Sequence, residues 1–410
     1  MKNHIKKHKK LYAGILCTIT LLCCLYIFLL YTTNPFISKW RTIYIETAMT
    51  TNTHQWLATA FIPKSIIDEV MADRAAQEEL QKELESSWNI YVPDKITENS
   101  EASETTESSE STESISEEPE PTEEELFFEK YWELDTTSFK KYIEENPELI
   151  KDGYENIVIE DLDENLNIKT TNKDKLLVLD VPNNTIIIKV TGDGYVGRLV
   201  VVKNTDQVCI ESASTLGQKG EAASVFAKRY DAEVVINASG FKDNGGHGNG
   251  GIVKGSYVLD GVEYGKQENK HWKFVGIKKD NRLYISSRKN TDISDYRWGI
   301  EFYPALIVDG ENVVDGSYCM GIQPRTVIGQ SKKGDILMLV VDGRQVGYSL
   351  GCTVADCRDV LFAYNAYQGM NLDGGSSSVL YYKGKLINKP SSVGGVGRYM
   401  PNAIVVKKQK

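Results

Sequence analysis

Asn371-Leu372-Asp373-Gly374-Gly375-Ser376-Ser377-Ser378 sets one carboxylate ahead of two glycines and three hydroxyls. Glycines here let backbone amides approach a bound anion, while Asp373 supplies a charge for acid, base or nucleophilic work. An Asp-Gly-Gly triplet is also an ordinary turn, so the chemistry depends on what accompanies it. Three further clusters carry polar groups at the ends of apolar runs. Gln323-Pro324-Arg325-Thr326 places an arginine before a core strand, suited either to a buried ion pair or to gripping a phosphate or carboxylate. Ile336 to Val341 is a continuous apolar run that ends in Asp342-Gly343-Arg344. These two charges could equally form a mutual salt bridge. Gly397-Arg398-Tyr399-Met400-Pro401-Asn402 leads into a closing strand, from which Arg398 and Asn402 could reach the same pocket.

A fourth cluster, Asn237-Ala238-Ser239-Gly240-Phe241, ends a strand and empties into Asn244-Gly245-Gly246-His247-Gly248-Asn249-Gly250-Gly251. Asn237 then stands at a sheet edge beside flexible backbone. A long turn with a solvated His247 is the plain alternative.

Elements that would position these groups follow from periodicity. Short β-rich runs occur at 157–159, 176–179, 185–190, 198–202, 233–237, 272–277, 283–286 and 305–308, with helices expected over 126–149, 214–230 and 353–364. Thr353-Val354-Ala355-Asp356 reads as a capping box with Asp in place of Glu. The sum is an α+β fold with a mixed, largely antiparallel sheet and packed helices, preceded by a single transmembrane helix.

Ahead of this body lies a different texture. Lysines at 2, 6, 7, 9 and 10 form a basic tail over 1–10, and the uncharged apolar stretch over 11–31 is long enough to cross roughly 30 Å of hydrocarbon. It has no short apolar region with a small-residue cleavage site, so it reads as a retained signal anchor with the N-terminus in the cytoplasm. A helical juxtamembrane region spans 32–97. From 98 to 125 the chain holds twelve glutamates and no lysine or arginine; the net charge of −10 therefore leaves about +2 for everything else. Such a stretch cannot bury enough apolar surface to offset its ordering entropy, and reads as a disordered spacer that would hold a globular part at a distance from the membrane. The folded remainder divides into an N-terminal part over 126–233 and a motif-bearing domain over 234–410.

No basic patch argues for nucleic acid, and no GxxxxGK[ST] loop argues for nucleotide phosphotransfer. Cys209, Cys319, Cys352 and Cys357 lack the paired CxxC motif of a zinc site and read as free buried thiols, although Cys352 and Cys357 could meet across a helix start. No cofactor is identified. Carboxylates and Asn oxygens converge on paper, which leaves a divalent metal open.

Taken in order, the motifs resemble the phosphodiester glycosidase family. The resemblance rests on Asn237 to Phe241, Pro324 to Gly329, Val341 to Arg344, Asn371 to Ser376 and Arg398 to Ala403, and covers about Val234 to Val406. The chain departs from the family pattern at Ala238 and Ser239, where glycines are usual, at Lys242, at Ser376, and at Tyr399-Met400-Pro401. The resemblance implies hydrolysis at the anomeric carbon of a sugar joined through phosphate to another group. It implies Arg325 and Arg344 at the phosphodiester, with Gly374, Gly375 and Ser376 cradling it. Asp373, or second Asp342, would be the catalytic carboxylate, and Asn237 and Asn402 would position sugar hydroxyls, with Asn371 and Arg398 completing the substrate contacts. A phosphodiester-linked envelope glycan or exopolysaccharide is the expected substrate. The rival is a non-catalytic envelope module that binds anionic glycans.

Overall fold

The computed structural model describes residues 2–51, 54–88, 120–243, 247–267, 271–314 and 320–409. Most of the acidic stretch, residues 244–246 of the glycine-rich loop, and Cys319 lie outside the described residues.

Four helices come first: α1 (Lys2–Tyr31), α2 (Pro35–Met49), α3 (Trp56–Thr59) and α4 (Lys64–Leu80). The stretch Leu11–Tyr31 of α1 is long and apolar enough to cross a membrane. The helix expected over 126–149 is two, α5 (Glu123–Lys130) and α6 (Thr136–Glu145), because Asp135 accepts a bond from the Ser138 amide and starts a new helix.

Strands β1 (Val158–Glu160), β2 (Lys175–Asp180), β3 (Thr185–Gly192), β4 (Tyr195–Val202) and β5 (Val208–Ser212) follow. Of the helix expected over 214–230 only α7 (Ala223–Arg229) forms. Glu221 instead bridges Met400 in extended pairing, and the Gly220 backbone passes too close to the Met400 carbonyl for a side chain, so tertiary contact overrides local helix tendency. Next are β6 (Ala232–Asn237), β7 (Gly255–Leu259), β8 (Val262–Lys266), β9 (Lys273–Lys278), β10 (Leu283–Ser286), β11 (Tyr296–Phe302), β12 (Ala305–Val308), β13 (Glu311–Asn312), β14 (Arg325–Ser331) and β15 (Ile336–Val341). Helix α8 (Val354–Ala363) opens on the expected capping box, and β16 (Ala366–Asn371), β17 (Leu380–Tyr382), β18 (Lys385–Leu386) and β19 (Asn402–Lys407) close the chain.

Among the described residues every strand pairing is antiparallel, in three sheets ordered β1-β2-β3-β4-β15-β14-β16-β12-β13, β10-β9-β11-β7-β8 and β18-β17-β6-β19-β5. The fold is thus α+β, with β4 joined to β15 so that residues before and after 233 share one sheet. The continuous apolar run of β15 is explained by cover on both faces: Leu337, Leu339 and Val341 pack under Phe127, Phe139 and Leu361 of the helices, while Ile336, Met338 and Val340 face Ile236, Ile404 and Trp298 of the other sheets.

Residues before the acidic stretch are built into this body. The Gln81 side chain bonds the Ala305 amide and the Ala305 and Val313 carbonyls, and Trp88 is buried with its indole N–H on the Leu283 carbonyl. Described residues on both sides of the acidic stretch therefore belong to one body. The stretch does not separate that body from the apolar helix, contrary to the sequence-based expectation of a stand-off.

Candidate functional site

β6, β15 and β16 end where β14 begins, and the loops that follow the first three meet the loop that precedes β14. Asn237, the last residue of β6, is 1% exposed and fastens three of these segments: its amide donates to the Asp373 carbonyl (2.6 Å), and its oxygen accepts from the Thr326 hydroxyl (2.8 Å) and the Val379 amide (3.2 Å). These bonds commit its oxygen to protein, so Asn237 holds the Asp373 backbone in place.

Asp373 is half-buried. Burial is the main influence on its carboxyl and pushes it up to about 6; Ser377, Arg398 and the Gly374 amide act the other way, and Asp243 adds to the rise. Gly374 must lack a side chain because a Cβ there would lie 2.8 Å from the Pro324 carbonyl oxygen. The Gly375 amide donates to that same oxygen at 2.9 Å. It is thus spent on the protein, and the cradle read from the two glycines is a close packing of backbones instead. Ser376 is half-buried, and no other described residue engages its hydroxyl.

Arg325 begins β14 and is 6% exposed. Its Nε bonds the Cys352 carbonyl (3.2 Å), and its Nη2 bonds the carbonyls of Met320 (2.9 Å) and Gly321 (2.7 Å). Arg344 follows β15, with φ of 61° in the left-handed region, an uncommon choice for arginine. Its Nη2 bonds Gln323 Oε1 at 2.6 Å and packs over Gly375. Desolvation and the neighbouring Arg325 both pull the Arg344 guanidinium below the usual arginine range. Among the described residues no carboxylate ion-pairs with either arginine. Two adjacent, partly desolvated cations held by neutral acceptors repel each other, and an anion between them would relieve the cost.

The other expected residues take different positions. The Asp342 side chain is fully buried and accepts four bonds: from Arg198 Nη1 (3.0 Å), the Tyr348 hydroxyl (3.0 Å), Asn388 Nδ2 (2.9 Å) and the Lys389 amide (2.8 Å). Its partner is Arg198 of β4, not Arg344, and its lone pairs are engaged, so it braces the loop after β15. Asn402 accepts from the Ser239 amide (3.0 Å) and donates to its hydroxyl (3.0 Å). Arg398 pairs with Asp243 (2.6 Å), bonds the Gly248 carbonyl (3.0 Å) and lies over the Phe241 ring. Both hold the glycine-rich loop beside Asp373. His247 is exposed. Asn371 donates to the Tyr303 carbonyl (2.8 Å), while its side-chain oxygen is buried without a hydrogen-bond partner among the described residues.

Sequence reasoning missed Gln323, Ser239, Asp243 and Tyr303. Ser239 carried a signal, since it stands where the resemblance calls for glycine; its hydroxyl is what meets Asn402. Cys352 and Cys357 do approach, as free thiols with sulfurs 3.4 Å apart. Among the described residues no group of three or more His, Cys, Asp or Glu could hold a metal ion.

Residues 230–407 match the family model described as phosphodiester glycosidase. The matched stretch contains Asp373, Arg325 and Arg344. Among individual proteins, the chain is 26% identical over 200 residues to the SPbeta prophage-derived uncharacterized protein YomE of Bacillus subtilis strain 168, covering 45% of this chain and 29% of that one. Among solved structures, it is similar to the catalytic domain of zebrafish N-acetylglucosamine-1-phosphodiester alpha-N-acetylglucosaminidase, auto-inhibited by its pro-peptide, at 20% identity and a TM-score of 0.44, covering 55% of this chain and 83% of that one. A hypothetical protein from Synechocystis is similar at 14% identity and a TM-score of 0.43, covering 59% and 65%.

Proposed function

We propose that this protein is a membrane-anchored, extracytoplasmic hydrolase that cleaves the bond between the anomeric carbon of a sugar and a phosphodiester oxygen in a cell-envelope glycopolymer or exopolysaccharide. The observation that carries the reading is the pair of neighbouring guanidiniums, Arg325 and Arg344, without a carboxylate partner among the described residues, with Arg344 packed over Gly375 two residues beyond Asp373.

In the reaction the C1–O bond to phosphate breaks, water supplies the new hydroxyl at C1, and the products are a free sugar and a phosphomonoester. A phosphate leaving group needs little protonation, so fixed positive charge from Arg325 and Arg344 can replace a strong general acid. The cationic transition state at the sugar calls for a carboxylate, which Asp373 supplies in its ionised form as nucleophile, base for water or electrostatic partner. Asn237, Asp342, Asn402 and Arg398 act by holding the loops. Anchoring is supported by the stretch Leu11–Tyr31 and by Arg41, which bonds the carbonyls of Leu29, Leu30 and Thr32 at its end. The basic tail before it favours a cytoplasmic N-terminus.

The test is incubation of the full chain in detergent with a panel of sugar-1-phosphodiesters, assaying free sugar and phosphomonoester separately, beside Asp373→Asn. Release of both by wild type alone is expected. The rate should rise with pH through about 6, as Asp373 ionises, and then level. No turnover with retained glycan binding would replace the hydrolase reading with the binding module. Full activity of Asp373→Asn would remove Asp373 from the chemistry.

A further inference from the structure

The site is tied to the membrane-proximal helices by a short series of contacts. Helices α1 to α4 form a small core of Leu30, Ile45, Ala48, Ala58, Ile66 and Ile67, and the Tyr26 hydroxyl bonds the Phe61 carbonyl. By helical spacing Phe36, Trp40, Ile43 and Thr47 share one face of α2. The far half of that face is covered by the domain, where Thr47 accepts from the Ile322 amide (2.9 Å), Glu46 accepts from the Gly321 amide (3.2 Å), and Thr50 accepts from Gln323 Nε2 (2.7 Å). Gly321, at φ of +67°, lies so close that a Cβ there would be 2.5 Å from the Thr47 Cα. This same loop holds both arginines: Met320 and Gly321 through their carbonyls for Arg325, and Gln323 through its side chain for Arg344.

The near half of the face is bare. Phe36 is 71% exposed and Trp40 49%, their rings in contact, and Trp56 and Phe61 of the same helical group are 55% and 56% exposed. Phe36 and Trp40 follow the apolar span within a few residues, and the Phe61 carbonyl bonds Tyr26 of that span; exposed aromatic side chains so placed suit the headgroup layer of a bilayer. Eleven residues of helix from Phe36 to Thr47 span roughly 16 Å. With the contacts above, Arg325 lies within roughly 25 Å of Phe36, and any tilt of α2 brings it closer to the membrane.

We propose that Phe36, Trp40, Trp56 and Phe61 seat this protein on the lipid surface, and that the phosphodiester it takes joins a sugar to a membrane lipid. This rests on the hydrolase reading and narrows its substrate. A site fixed at this height cannot sweep the depth of a wall, whereas a lipid-linked sugar diffuses to it in the plane of the membrane. Hydrolysis breaks the C1–O bond, water supplies the hydroxyl of the released sugar, and the lipid keeps its phosphate as a monoester.

The experiment uses the full chain in vesicles with two probes carrying the same sugar: its 1-phosphodiester with a long-chain isoprenoid alcohol in the bilayer, and its water-soluble methyl phosphodiester. Wild type is compared with a variant combining Phe36→Ser, Trp40→Ser, Trp56→Ser and Phe61→Ser. The expected result is at least tenfold higher kcat/KM on the lipid ester for wild type, and loss of that advantage in the variant with the methyl ester unchanged. Wild type that cleaves only the methyl ester, or a variant that keeps the full advantage, overturns the lipid assignment and leaves the hydrolase reading standing. Equal loss on both probes overturns the surface-seating role of the aromatics. Cleavage of neither probe by wild type overturns both readings.

Discussion

Replacing Asn237 by aspartate tests the clamp beneath Asp373. The side chain is 1% exposed, and its amide donates to the Asp373 carbonyl at 2.6 Å. An ionised carboxylate there would set two acceptors against each other in a buried place. A protonated one could keep the donor, so the variant escapes by holding its proton, at a cost of about 1.4 kcal/mol for each pH unit above the unfolded value of about 3.9. The penalty should therefore be about 1.5 kcal/mol at pH 5 and about 4 kcal/mol at pH 7. The sign follows from a folded-state value raised above the unfolded one: stability is complete at low pH and is lost as pH rises. Urea midpoints of wild type and Asn237→Asp in detergent, measured between pH 5 and 7, give the difference. A difference that does not change with pH, or one below about 1 kcal/mol at pH 7, would refute the claim that this amide holds the Asp373 backbone.

Asp342→Asn should act on folding more than on substrate affinity, because it leaves Arg198, whose side chain is 9% exposed, without its charge partner; a loss of about 3–5 kcal/mol in urea titration is expected, with KM of the remaining folded protein near that of wild type. Glu233 is fully buried at the start of β6, where burial and Asp180 push its carboxyl up to about 7 against the pull of Lys383, which also pairs with Glu160. A raised carboxyl costs stability as pH climbs from about 4.5 to 7, so Glu233→Gln should be the more stable protein above pH 7 by on the order of 1 kcal/mol, and the two should converge near pH 4.5 in thermal melts.

Much of this protein is written locally. Alternating and continuous apolar runs located most of the strands, and the Thr353 to Asp356 capping box announced α8, because side-chain periodicity and capping act over a few residues. The apolar span, the acidic stretch and the candidates Asp373, Arg325 and Arg344 were visible in the same way. Packing overrode the local signal in particular places. The segment before α7 has helical composition, yet the Met400 backbone draws Glu221 into extended pairing.

The roles within the site were not legible, since they depend on which groups face each other across loops far apart in sequence. Asp342 and Arg344 are two residues apart, but the turn sends Asp342 to Arg198 and Arg344 to Gln323. Gly374 and Gly375 resembled an anion cradle and serve instead to let the Pro324 backbone come close. The acidic composition of 98–125 suggested reach, but Gln81 and Trp88 already lie against the body before it begins. Sequence alone determined which residues were available for chemistry, because residue type fixes charge and hydrogen-bonding capacity. Only the tertiary structure decided which remained free to use it, because a buried donor or acceptor is committed by whatever partner the fold brings within about 3 Å.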